Sequence, residues 1–206
     1  MAGYIRAYPD GGAVPGVSNV NFNADQVIAN AAIVLATDGY INIALIGAGS
    51  LRMVVDVDCY FSANSAEAVS AFVPVTPFRW LDTRTISHGT LPAGDYYSLP
   101  MADDFWGNVL PTVTGVVSNA TVTQTTAASG DLVVFPDNSS STTGGLEIPL
   151  SSPLNFTKGA TVPNMEITAP GTDGNVDFLN QSAGDLQLIV DVSGYFESEW
   201  PTNTAR

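Results

Sequence analysis

Short apolar runs, separated by turn-forming residues, recur along the whole chain. Runs of about four to eight β-branched or aliphatic residues, bounded by Gly, Pro, Asn or Asp, are typical of β-strands. Between such runs, Asp38-Gly39 and Asp173-Gly174 predict tight hairpin turns. Helical periodicity is nearly absent, so the pattern predicts an all-β protein. The clearest runs are residues 52–57, 116–125, 132–135 and 186–192.

The chain also contains an internal repeat. Residues 49–61 and 184–196 align without a gap and are identical at seven of thirteen positions. The ordered matches indicate two related copies of one β-rich unit, because chance does not produce such a series across sixty residues. The other matches are residues 3–10 with 130–137, Asn21-Phe22 with Asn155-Phe156, Asn30 with Asn164, and Asp38-Gly39 with Asp173-Gly174.

The two copies differ in what stands before them. About sixty residues, 72–129, precede the aligned part of the second copy and have no counterpart in the first. We expect the complete repeat to fold as a β-sandwich of the jelly-roll type. The predicted divisions are a partial repeat over residues 1–63, a linker over 64–71, the complete repeat over 72–197 and a tail over 198–206.

The partial repeat raises the question of what completes it. A segment of this size buries only about 60% of its surface and would leave strand edges without partners. We therefore expect the first copy to be completed from outside itself. The alternatives are strands added by a neighbouring subunit, packing of the two copies within one chain, and docking on a larger assembly.

The amino-acid composition and charge narrow the possible classes of function. Twenty acidic residues against six basic ones give a net charge of −14, and 13% of residues are charged. This balance argues against a nucleic-acid partner, because such binding depends on Lys and Arg, and against docking on an anionic membrane. One Cys and one His argue against a disulfide framework, a multi-cysteine zinc site and a Ser-His-Asp hydrolase. We expect a non-enzymatic protein with no cofactor and no metal.

The polar residues that suggest a specific contact are Asp82, Arg84 and Asp191. Asp191 lies within an apolar strand, residues 188–192, where an unpaired carboxylate would be unfavourable. A bidentate pair with Arg84 would satisfy both groups, so we expect a structural ion pair between neighbouring strands. A ligand-binding or catalytic carboxylate is the alternative interpretation.

Two further sets of residues have a structural and a sugar-binding interpretation. The recurring asparagines can satisfy backbone groups at turns, or they can bind sugar hydroxyls. Aromatic faces beside carboxylates suit sugar rings, and they equally suit a sandwich core or a protein contact. The candidate carbohydrate-binding residues, all in the part found only in the complete repeat, are Tyr96, Tyr97, Asp103, Asp104 and Trp106.

Several motifs resemble a β-rich domain, often found in tandem, of secreted and surface proteins of actinobacteria. They are residues 72–84 with their Leu-Asp-Thr-Arg end, Asn155-Phe156, Asn164, and the Val-Asp-Val-Ser-Gly-Tyr-Phe of residues 190–196. The first copy matches only from its middle onward, with Cys59 where the pattern has Gly. The resemblance implies a non-catalytic module at a cell surface. It also suits a virion protein, because actinobacterial phages carry surface-type domains in their virions.

The start of the chain bears on localisation. Residues 1–6 lack the basic and apolar regions of a signal peptide, and no run approaches the roughly 18 apolar residues that cross a bilayer. A virion protein needs no such signal. We therefore expect a structural or interaction protein, such as a capsid decoration, tail or cell-surface component that assembles with copies of itself or a larger assembly. The alternative is a carbohydrate-binding module attached to a cell envelope.

Overall fold

The structure, a computed structural model, describes residues 2–62, 64, 69–85, 89–102, 112–138 and 147–198. Within these ranges the regular structure consists of eleven β-strands in three antiparallel sheets, which confirms the predicted all-β class. No helix in this part of the chain is long and apolar enough to cross a membrane. The chain divides into two compact units, Met1–Val55 and Asp56–Arg206.

The first unit contains a three-stranded sheet. Its strands are β1 (Gly3–Pro9), β2 (Val20–Phe22) and β3 (Ile41–Ile46), in the order β2-β1-β3. The predicted tight turn at Asp38-Gly39 is present just before β3. Both residues have positive φ, 51° and 83°, and Thr37 and Tyr40 exchange two backbone hydrogen bonds across the turn. Asp-Gly suits this position because a turn with two positive φ values favours these residues.

The second unit is a β-sandwich. Its two four-stranded sheets have the orders β4-β11-β6-β9 and β5-β10-β7-β8. The strands are β4 (Ala71–Asp82), β5 (Tyr96–Pro100), β6 (Val113–Thr123), β7 (Ser129–Pro136), β8 (Leu154–Thr157), β9 (Val162–Thr168), β10 (Asn175–Ser182) and β11 (Gln187–Glu197).

The strand order is that of a jelly roll. The antiparallel pairs β4–β11, β5–β10, β6–β9 and β7–β8 are nested, so that the first strand of the unit pairs with the last and the two middle strands pair with each other. A long antiparallel ribbon that wraps in this way distributes its strands over two sheets. The predicted β-sandwich of jelly-roll type is therefore confirmed.

The core lies between the two sheets of the sandwich. Because side chains alternate along a strand, every second residue of β6, β10 and β11 points inward. Each large aliphatic or aromatic side chain that is fully buried stabilises the fold by about 1.5–3 kcal/mol. Core residues include Val116, Ala120, Val122, Leu132, Leu154, Phe156, Val176, Phe178, Leu186, Leu188, Val190 and Val192.

Candidate interaction surface

The three strands of the first unit correspond one to one to strands of the sandwich. β1 aligns with β7, β2 with β8 and β3 with β10, and both sets have the same order in their sheets. The register agrees as well. Tyr4 lies opposite Ile46, and their second-copy equivalents, Asp131 and Gln181, also lie opposite each other. The internal repeat of the sequence is thus also a structural repeat.

Side-chain contacts recur with the strands. Asn30 and Asn164 each donate from Nδ2 to the backbone carbonyl eleven residues earlier, at 2.6 Å in both copies. Asn21 and Asn155 each accept a hydrogen bond from the serine three residues earlier, at 3.0 and 3.4 Å. These contacts support the structural interpretation of the recurring asparagines, because amides of this kind satisfy backbone and turn groups.

The copies differ in their remaining segments. Residues 28–34 align with β9 and residues 49–61 with β11, yet neither segment of the first copy forms a strand. In the second copy, β6 lies between β9 and β11 and pairs with both. The first copy has no aligned counterpart of β6. Its segments therefore have strand-forming sequences without the neighbour that would make the ladder of hydrogen bonds.

The consequence is visible in the exposure of equivalent side chains. Leu51, Met53 and Val55 are 36%, 46% and 54% exposed. Their second-copy equivalents, Leu186, Leu188 and Val190, are each 0% exposed and belong to the core. Side chains that fill the sandwich core in one copy are thus open to solvent in the other.

Two of these side chains, Leu51 and Met53, line an apolar groove within the first unit. The groove has a volume of about 330 Å³, and we call it the open face; it is lined by Ile5, Ile43, Leu45, Leu51 and Met53, together with Gly49 and Ser50. The equivalents of the five apolar residues are all 0% exposed: Leu132, Phe178, Asn180, Leu186 and Leu188. This groove is therefore the candidate interaction surface.

A chain of ion pairs lies on β4, β11 and the residues that follow β4. Arg79 binds Asp191 through two hydrogen bonds, Nε to Oδ1 at 2.9 Å and Nη2 to Oδ2 at 3.1 Å. Arg79 also donates to Asp82, which binds Arg84 at 2.6 and 2.8 Å. Asp191 thus has Arg79 as its partner where the sequence predicted Arg84. The register of the two strands places Arg79 opposite Asp191, and Arg84 lies beyond the end of β4.

This network is largely open to solvent. The side chains of Arg79, Arg84 and Asp191 are 49%, 40% and 33% exposed. Exposed ion pairs contribute little to stability, because water screens them. Asp82 is buried, and the hydrogen bond from Arg84 lowers the pKa of its carboxyl to about 2. The arrangement is that of a structural network between two strands.

The predicted sugar-binding residues do not form one aromatic platform in the described part of the chain. Tyr96 and Tyr97 are adjacent on β5, so their side chains point to opposite faces of the sheet. Tyr96 is exposed, whereas Tyr97 packs against the core and donates to the carbonyl of Gly89 at 3.4 Å. Asp103, Asp104 and Trp106 lie outside the described residues.

Two buried carboxyl groups were not anticipated from the sequence. Glu166 on β9 lies opposite Ser118 on the core side of the sheet, and burial raises its pKa to about 8. Asp177 on β10 is 0% exposed, and burial raises its pKa to about 6. In the first copy Ala32 stands where the second has Glu166. Strand alternation assigns Glu166 to the core side only once the register is known.

Comparison with known proteins gives no assignment for this chain. No protein-family model matches it, and no curated protein matches it. Among the described residues, no group of three or more His, Cys, Asp or Glu side chains is arranged to hold a metal ion. The open face of the first copy is therefore the feature from which a function is inferred.

Proposed function

We propose that the protein is a non-enzymatic structural or interaction protein, a component of a virion or a cell surface, which assembles through β-sandwich repeats, one complete and one partial. The observation that carries this proposal is the open face. Its residues are equivalent to core residues of the complete sandwich, yet they face solvent in a unit with only one sheet. Covering this face with another polypeptide removes apolar surface from water, which is the main driving force of protein association.

The size of that driving force supports stable contacts. Open-face side chains such as Leu51 and Met53 are 36% and 46% exposed. Completing their burial therefore contributes roughly a third to a half of the 1.5–3 kcal/mol that full burial of such a side chain gives, and several of them together offset part of the cost of bringing two molecules together. The acidic balance of the chain, −14 overall, opposes contact between two copies at low salt. Salt screens this repulsion and strengthens apolar contacts, so association is expected to increase with ionic strength.

Placement in a virion or on a cell surface rests on the resemblance of residues 72–84 and 190–196 to domains of surface proteins. The sugar-binding alternative has no matching support in the described residues, because Tyr96 and Tyr97 point to opposite faces of their sheet. A structural role therefore fits the described part of the molecule better than a glycan-binding role.

Sedimentation velocity of the full chain tests the proposal. Without another partner, the open faces of two copies are expected to bind each other, so the average mass should rise with protein concentration and with salt. Leu51→Asp together with Met53→Asp should abolish this rise, because both residues line the open face and the charges oppose burial. Val14→Asp is the matched control, since Val14 is similarly exposed, at 48%, but lies outside the open face. A chain that stays monomeric throughout, together with binding on a glycan array, would contradict the proposal.

A further inference from the structure

The two copies carry different polar pairs at one end of their shared three-strand arrangement. In the first copy, Asn42 donates from Nδ2 to Oδ1 of Asp10 at 2.9 Å. The strand register places Asp177 and Asp137 at the equivalent positions of the second copy. Two carboxyl groups therefore stand where the first copy has an amide and a carboxylate, and the N–H donor of the first pair has no counterpart in the second.

The carboxyl group of Asp177 is buried. Asp177 is 0% exposed, and neither of its oxygens accepts a hydrogen bond from the residues that the structure describes. Because side chains alternate along β10, Asp177 points away from the sandwich core. On that side of the sheet a small apolar cluster is formed by Val133, Phe135 and Leu179. An ionised carboxylate without a donor is unfavourable in such surroundings, so they favour the neutral acid.

The described groups that act on Asp177 are acidic or neutral. Asp137 is 6% exposed, and Ser98, which lies opposite Asp177 on β5, donates from Oγ to Oδ2 of Asp137 at 3.1 Å. Asp173 lies in the turn before β10 and accepts two hydrogen bonds from Asn175, at 3.0 and 2.9 Å. Burial raises the pKa of Asp177 to about 6, against the opposing effect of the Ser98 hydroxyl. The charges of Asp137 and Asp173 contribute to the same rise in pKa.

The turn before β10 packs closely against Asp137. The carbonyl oxygen of Asn175 accepts hydrogen bonds from the backbone N–H groups of Asp137, at 3.2 Å, and of Gly171, at 2.7 Å. A Cβ atom at Gly171 would lie 2.2 Å from the carbonyl oxygen of Asp137, so a larger residue would clash there. Asp137 thus connects the carboxyl pair to this turn, residues 171–175.

We propose, independently of the function proposed above, that Asp177 and Asp137 hold one proton between them and that loss of this proton loosens the turn at residues 171–175. With the proton bound, Asp177 is neutral and the pair carries a single charge. Without the proton, two negative charges share a site in which Asp177 has no donor among the described residues. The proton thus takes the place of the Asn42 amide hydrogen, and the second copy has a pH-sensitive contact that the first copy lacks.

The direction of the pH effect follows from the two states of the chain. The folded protein binds this proton more tightly than the unfolded chain, in which Asp177 ionises near 3.8. The folded state therefore holds more protons over the range between the two pKa values. The free energy of unfolding falls as pH rises through this range, and the stabilisation is lost above the pKa of the folded state.

A metal ion is the other species that neutralises paired carboxylates. Within the described ranges, however, no three His, Cys, Asp or Glu side chains are arranged to hold one. A proton needs only the two carboxyl groups, and the first copy shows that a single hydrogen joins such a pair. The proton is therefore the species proposed, and a metal ion is an outcome that the experiments distinguish.

Carbon-13 NMR of the full chain measures the titration directly. The side-chain carboxyl resonance of Asp177, identified by its loss in Asp177→Asn, is expected to titrate with a midpoint near pH 6. Asp137→Asn removes the neighbouring charge and should lower this midpoint. Asn42→Asp is the matched control, because it builds the same pair where Asp10 is exposed, so its carboxyl should titrate near the ordinary value of about 3.9. An Asp177 midpoint below about pH 5, or one that Asp137→Asn leaves unchanged, would overturn the proposal.

Hydrogen exchange tests the structural consequence. Protection factors, corrected for the intrinsic effect of pH on exchange, are compared at pH 5 and pH 7 for the amides of Asp137, Gly171 and Asn175. In the parent chain they should fall by roughly tenfold or more, because one pKa unit corresponds to a tenfold change in an equilibrium. In Asp177→Asn, which restores the amide–carboxylate pair of the first copy, they should stay constant within about threefold. Constant protection in the parent chain, or an equal fall in the variant, would contradict the proposal.

Asp137→Asn gives the same comparison with a second variant. It also leaves one amide and one carboxylate in the pair, so protection should again stay constant from pH 5 to pH 7. If Asp177→Asn does not fold, this variant decides the outcome. A fall as large as that of the parent chain would then count against the proposal.

Calcium chloride at millimolar concentration, added at pH 7, distinguishes the proton from a metal ion. The proposal predicts that calcium leaves the protection factors of the parent chain unchanged. A return of these protection factors to their pH 5 values in the parent chain, but not in Asp177→Asn, would assign the carboxyl pair to a metal ion and would overturn the proposal.

Discussion

The two copies in this chain form the same sheet in different surroundings. β1 and β7 pair with their neighbours in identical register, and the contacts of Asn30 and Asn164 beside the sheet have equal lengths. Beyond the sheet the copies diverge: Leu188 is 0% exposed in the core, whereas its equivalent Met53 is 46% exposed. The comparison shows that the equivalent sequences form the same three-stranded arrangement in both surroundings, whereas a closed core and the remaining strands need a second sheet.

The largest expected difference between the copies is the loss of stability when a charged side chain is introduced at equivalent positions. Val190→Asp buries a carboxylate without a partner in the sandwich core and should destabilise the second unit by more than about 4 kcal/mol. Val55→Asp introduces the same charge where the side chain is 54% exposed, so stability should change by less than about 1 kcal/mol. Urea unfolding followed by far-UV circular dichroism measures both. Equal losses at the two positions would show that the first copy has a closed core.

A smaller expected difference concerns how stability depends on pH. Only the second copy has a core-side carboxyl group, Glu166, at the position where the first copy has Ala32. In the folded protein Glu166 keeps its proton up to about pH 8, whereas in the unfolded chain it ionises near 4.5. The unfolded state therefore binds fewer protons over this range, and the free energy of unfolding falls as pH rises. At about 1.4 kcal/mol per pKa unit, the loss amounts to a few kcal/mol.

Glu166→Gln isolates this contribution. Thermal unfolding between pH 6.5 and 8 should show a falling stability for the parent chain and a nearly constant one for the variant. The range starts above the pKa of Asp177, which burial raises to about 6 and which changes stability in the same direction at lower pH. Parallel curves for the two proteins would mean that Glu166 is ionised in the folded state.

The smallest expected difference concerns the recurring asparagines. Asn164 is 8% exposed, and its amide binds a backbone carbonyl. Asn164→Ala leaves that carbonyl without this donor and should destabilise the second unit by about 1–3 kcal/mol. Asn30→Ala removes the same bond at an exposed position, where water replaces the amide, so the loss should stay below about 1 kcal/mol. Chemical unfolding of the two single variants compares them directly.

Much of the fold could be predicted because it is encoded in short stretches of sequence. Apolar runs predicted strands correctly at residues 116–125, 132–135 and 186–192 and wrongly at 52–57. The Asp38-Gly39 dipeptide predicted the tight turn before β3, and the repeat predicted which strands correspond. The ion pairs were harder to predict from the sequence, because their partners depend on the register between strands. Arg79 precedes Arg84 by five residues in the same motif, and only the pairing of β4 with β11 shows that Arg79 faces Asp191.

By itself, the sequence determined the all-β class and the two aligned copies. Those features depend on side-chain alternation and turn chemistry, which act over a few residues. Only the tertiary structure decided that residues 49–61 form no strand while residues 187–197 do, although seven of thirteen aligned positions are identical. A strand is stable only when neighbouring strands satisfy its backbone groups and bury its apolar face, and no strand in the described ranges takes the place of β6 beside the first copy.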